Sequence, residues 1–73
     1  MTPIYFSSRT DLVRHAADAG NVNGGAAESL ADALLEIARG EGLSPWTDNW
    51  AYVLDFSELA WLCLVEDAAA DAA

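Results

Sequence analysis

The chain reads as a small α+β domain, mainly helical, and three observations lead there. Apolar residues recur at three- and four-residue spacing through the middle of its 73 residues. Glycines at 20, 24, 25, 40 and 42 divide that pattern into lengths typical of single helices. Two short runs, 3–6 and 50–54, carry the aromatic and β-branched residues that suit a pleated strand. The expected elements are three helices, at about 9–19, 26–39 and 56–68, and a short N-terminal strand at 3–6 paired with 50–54. An all-α arrangement is the alternative, because Pro45 could equally open a helix through Trp46, Trp50, Val53 and Leu54. The pairing of 3–6 with 50–54 is preferred because a lone strand leaves backbone groups without partners.

The elements follow in order. Pro3-Ile4-Tyr5-Phe6 is the strand candidate. Ser8 with Asp11 three residues on resembles a capping box, so a first helix starts there. Leu12, Val13, Ala16 and Ala17 give it a narrow apolar face, and Gly20 is the expected left-handed stop. Asn21-Val22-Asn23-Gly24-Gly25 is a turn; a phosphate-cradling loop needs a longer glycine pattern and a lysine. The second helix has Leu30, Leu34, Ile37 and Ala38 on one side. On its other side Glu28, Asp32 and Glu36 form a row of carboxylates about 6 Å apart. Arg39 can relieve only the last of them. The third helix opens at Asp55-Phe56-Ser57-Glu58, read as a second capping box. Ala68–Ala73 is an alanine-rich end expected to fray over 69–73.

Length bounds the rest. A chain of this size is one domain, residues 1–73, and buries only about 60% of its unfolded surface. Residues 50–65 read as scaffold, with Trp61, Leu62, Leu64 and Val65 filling the core. Few apolar side chains are left to line a substrate pocket. Cys63 is the only cysteine, so no intrachain disulfide forms; inside Leu62-Cys63-Leu64 it reads as a small buried hydrophobe. His15 is the only histidine, with Asp11 one turn before it. Two-histidine metal spacing, nucleophile motifs and nucleotide loops are absent. No catalytic residue, metal or cofactor is therefore assigned, and the chain is read as non-enzymatic. No basic, apolar leader follows Met1, and the longest apolar run, Leu59–Val65, is far short of the roughly 20 residues of a membrane span. A cytoplasmic location is expected, in the host cell if the gene is carried by a phage.

The net charge is −9, from twelve acids and three arginines, with no lysine. It is uneven. Residues 1–40 hold five acids against the three arginines; residues 41–73 hold seven acids and no base. Such a field opposes direct binding to nucleic acid or an anionic membrane and favours a basic partner. The same acidity would keep a small apolar domain in solution with no further role. The candidate partner-binding residues are Glu28, Asp32 and Glu36 on the helical row, Trp46 and Asp48 before the third helix, and Glu66 and Asp67 near its end. Trp46 follows a proline loop beside acids, the setting of an interface anchor.

In size, acidity and lack of catalytic motifs the chain resembles the small inhibitors encoded by phages and mobile elements, anti-CRISPR proteins in particular. That resemblance implies a stoichiometric inhibitor of a basic, nucleic-acid-handling host protein or nucleoprotein complex, such as a CRISPR effector, whose nucleic-acid site it blocks. It transfers no residue roles. The alternative function is a small adaptor or antitoxin-like module that binds through an apolar Trp46, Trp50 and Tyr52 surface. The oligomeric state is open, with a monomer favoured.

Overall fold

The computed structural model describes residues 2–72. Among them are three helices, α1 (Arg9–Gly20), α2 (Gly24–Gly40) and α3 (Glu58–Ala72), and no strand. The expected α+β class is thereby corrected to all-α. Helix α2 is the central element and packs against both α1 and α3.

The two strand candidates do meet, but not as a ladder. The Ile4 N–H donates to the Asn49 side-chain oxygen at 2.9 Å, and the Trp50 N–H donates to the Ile4 carbonyl at 2.8 Å. The same Asn49 oxygen also accepts from the Ala51 N–H at 2.9 Å. One side-chain amide thus supplies the acceptor that a partner strand would have offered, and it bends the chain away as it does so. Residues 51–54 continue as a turn, with the Leu54 N–H returned to the Trp50 carbonyl. Neither the strand nor the helix expected over 50–54 forms.

Helix α1 starts as its sequence suggests. Ser8 is the N-cap, and its hydroxyl accepts from the Asp11 N–H. The Asp11 carboxylate reaches back to the Ser7 N–H and hydroxyl. The stop differs from expectation by one position. Asn21, at φ 52°, takes the left-handed conformation, and Gly20 stays helical. Gly20 is needed for a different reason. A Cβ there would lie 2.8 Å from Leu30 Cδ2 and 3.5 Å from methyls of Val22 and Val65. All three helices converge on that point, and a methyl there would push the buried Leu30 side chain out of its place.

Helix α2 ends in a turn that returns the N–H groups of Glu41, Gly42 and Leu43 to the carbonyls of Ile37, Ala38 and Arg39. Gly42, at φ 78°, makes that turn possible. Helix α3 is capped by Ser57 rather than Asp55: the Ser57 hydroxyl accepts from Ala60 N–H and its carbonyl from Trp61 N–H. The helix runs to Ala72, past the expected end at 68.

The core joins Leu12 and Ala16 of α1, Leu30, Ala31, Leu34, Leu35 and Ala38 of α2, and Ala68 of α3. Phe6, Leu43, Trp50 and Val53 close one end. Trp50 is the largest wholly buried side chain, at 0% exposure. Its indole N–H donates to the Pro45 carbonyl at 2.7 Å. Its ring meets Phe6 edge-to-face at 5.2 Å, and Phe6 meets His15 at the same distance. The assignment of core to Trp61, Leu62, Leu64 and Val65 needs correcting. Trp61, Leu64 and Val65 are half-buried against the core, with Phe56 stacked on Trp61, while Leu62 is exposed. Cys63 is exposed rather than buried.

Candidate functional site

The carboxylate row on α2 is where helical spacing puts it, exposed on the face opposite Leu30 and Leu34. It is not free along its length. Arg9, from the first turn of α1, donates to Asp32 through Nε at 3.2 Å and Nη2 at 3.0 Å, and to Glu28 through Nη1 at 3.4 Å. Asp32 and then Glu28 raise the guanidinium's pKa above its ordinary value. The sequence pointed to Arg39 as the counterion of the last carboxylate. Among the described residues, the ion pairs of the row are instead those of Arg9 with the first two.

The third carboxylate, Glu36, borders a depression that Asp71 of α3 also borders. An open groove of about 460 Å³ lies there, lined by Ser29, Asp32, Ala33, Glu36, Arg39 and Asp71. A second groove of about 420 Å³ continues from it along Ser29, Ala33, Leu64, Asp67, Ala68 and Asp71. Small side chains on both helices let the two backbones approach and leave this depression above them. Asp32 and Glu36 of the row therefore share the first groove with Asp71 of α3, and Asp67 lines the second, which has Ser29, Ala33 and Asp71 in common with it; the two together form the α2–α3 trough. Sequence reasoning missed Asp71. It falls four residues after Asp67, the same spacing that marked the α2 row, and that periodicity could have found it.

The other candidates lie elsewhere. Asp48 caps its own turn: its carboxylate accepts from the Ser44 N–H at 2.9 Å, so its hydrogen-bonding capacity is partly used within the fold. Trp46 is 39% exposed beside it. Hydrogen bonds pin this loop to the N-terminal segment, and Tyr5 and Tyr52 are exposed there too. Trp50, which the alternative function needs at a surface, is buried. Glu66 faces away from the groove, in a row with Leu59, Leu62 and Cys63 on the outer side of α3.

Chemistry is sparsely represented. Among the described residues no group of three His, Cys, Asp or Glu could hold a metal ion. His15 rests on Phe6, while Asp11 binds Ser7 and sits 3.8 Å from Arg14. Hydrogen bonds from the Ser7 hydroxyl, and then from its N–H, hold the Asp11 carboxyl below its ordinary pKa, with Arg14 adding to the effect. No described helix is long and apolar enough to cross a membrane. No protein-family model, no curated protein and no solved structure matches the chain.

Proposed function

We propose that this chain is a non-enzymatic binding module that presents the α2–α3 trough to a cationic surface of a nucleic-acid-handling protein and so blocks that surface. The carrying observation is the meeting of Asp32, Glu36 and Asp71 from two helices at one open groove, with Asp67 on the adjoining one; Arg39 is the single base among the lining residues, and Arg9 pairs with Asp32 from beside it. Carboxylates contributed by two packed helices answer the spacing objection that applies to one row. A DNA strand carries a charge about every 3.4 Å along its axis, whereas one helical row carries a charge about every 6 Å. The two helices together offer the denser array that a groove built for nucleic acid attracts. A phage-borne inhibitor of a CRISPR effector is one such module.

The test has two stages. Affinity capture from the native host, followed by mass spectrometry, is expected to return a basic nucleic-acid-binding protein. Its affinity is then titrated against salt and against its own nucleic acid. A steep loss with rising salt, displacement of the nucleic acid, and loss of binding in Glu36→Lys/Asp71→Lys are expected. Binding that ignores salt and survives that double reversal overturns the proposal.

A second reading keeps the adaptor or antitoxin-like function and places it on Trp46, Tyr52 and Tyr5, whose exposure at the pinned end of the fold favours it. Trp46→Ala would then weaken partner binding strongly while leaving the salt slope unchanged.

A further inference from the structure

Over its first two turns helix α3 carries large apolar side chains on both its inner and its outer side. Leu59, Leu62 and Cys63 look outward; Trp61, Leu64, Val65 and Ala68 look inward. A helix of that kind is normally covered all round. Here only the inner side is covered. Leu59 is 73% exposed and Leu62 50%, and Cys63 beside them is exposed. Scattered exposed leucines are ordinary on protein surfaces. These residues are not scattered: positions 59, 62, 63 and 66 fall at i, i+3, i+4 and i+7, a continuous row over two turns that ends on Glu66.

The charge around the row narrows what can cover it. Glu58, Glu66 and Asp67 flank it on the helix and Asp55 precedes it, and residues 41–73 contain no base. A second copy laid on this face would bring carboxylates against carboxylates. Three side chains also supply well under the about 800 Å² that a stable dimer buries on each copy. A segment with leucine-like residues on one face and lysine or arginine at its edges meets both demands: its apolar face covers the row, and its cations meet the flanking acids.

From this we infer that the outer face of α3 is a docking surface for a cationic amphipathic helix of a partner protein, laid along Leu59, Leu62 and Cys63 with its basic edges on Glu58 and Glu66. The contact is one helix packed on the outer face of another, with anchors one turn apart. It does not depend on the α2–α3 trough, which lies on another side of the same helix.

The lone thiol is a ready reporter. The rate of Cys63 alkylation by N-ethylmaleimide is measured with and without an amphipathic leucine–lysine model peptide, and with its leucine–glutamate counterpart. At about ten times its Kd, the leucine–lysine peptide should leave roughly a tenth of the thiol open and slow the reaction about tenfold. The leucine–glutamate peptide should have no effect. Leu59→Ser/Leu62→Ser should lose the protection while keeping its helical circular dichroism; if it does not fold, Leu59→Gln alone, at the more exposed position, serves in its place. Absence of protection overturns the inference, as does equal protection by the glutamate peptide. Peptide binding by fluorescence anisotropy that leaves Cys63 unprotected and is lost in Glu36→Lys/Asp71→Lys places the peptide in the trough, which overturns this inference and supports the reading above. Thiol protection that rises with protein concentration alone, together with a dimer in sedimentation equilibrium, makes a second copy the occupant and overturns it too.

Discussion

At the scale of single residues, the three tryptophans divide in a way their sequence surroundings misstate. Trp61 lies in the most apolar run and yet stays half-buried; Trp50 lies beside Asp48 and Asn49 and yet is wholly enclosed. What encloses Trp50 is Phe6 at the other end of the chain and a carbonyl at Pro45 for its indole N–H. Composition within a window carries no record of a neighbour 44 positions away. Local capping was legible, because Ser8 and Asp11 need only each other's spacing. Asp11 also yields a pH prediction. Its carboxyl is held below the ordinary value by Ser7. A carboxyl depressed in the fold stabilises it above the ordinary carboxylate range, and that stabilisation is lost as pH falls through the folded value. Thermal melts should therefore show Asp11→Asn less stable than the parent at neutral pH, with the gap closing in acid. A constant gap from neutral to strongly acid pH would assign the loss to packing instead.

At the scale of elements, spacing located the helices to within a few residues but misjudged what covers them. The row Glu28–Asp32–Glu36 was visible from its four-residue period; its partner Arg9 was not, because the α1–α2 packing that brings it there is tertiary. The strand pairing of 3–6 with 50–54 does not form: Ile4 meets Asn49 and Trp50 through two hydrogen bonds, and the Asn49 amide does locally what a ladder would have done. Apolar composition marks Trp61, Leu62, Leu64 and Val65 of α3 as core, and composition cannot say which side of the helix is left outside. The Arg9 clamp separates structural from functional acids. Arg9→Ala releases Glu28 and Asp32 and loosens one α1–α2 contact. If those carboxylates are available to partners, the variant should bind a lysine-rich peptide more tightly and with a steeper salt dependence, as read by fluorescence anisotropy, while its melting temperature falls only slightly. Unchanged peptide affinity would confine Glu28 and Asp32 to a structural part.

At the scale of the whole molecule, charge works against compactness. Twelve acids face three arginines, and two of those arginines, Arg9 and Arg14, are already set against acids. Net repulsion of this kind destabilises a folded chain and is screened by salt. Raising ionic strength from about 0.01 M to about 0.15 M shortens the screening length from about 30 Å to about 8 Å, less than the breadth of the fold. The melting temperature should rise over that range, since more repulsion is relieved than attraction lost. A falling melting temperature would mean that the Arg9 and Arg14 pairs outweigh the remaining acids. The imbalance was the plainest property of the sequence; its grouping into a trough required the helices to be placed.

The bond from Ile4 to Asn49 spans 45 positions, and it sets an order of events during synthesis. The α1–α2 pair can form from residues close in sequence and sets His15 against Phe6, but the side of that ring that Trp50 covers has no lid until Trp50 has been made. At about 5–20 residues per second, the nascent chain carries that side uncovered for roughly 2–9 s. Within that interval a chaperone that grips aromatic residues has its best opportunity to hold this chain. Once residues 49 and 50 emerge and take their places, that handle is gone.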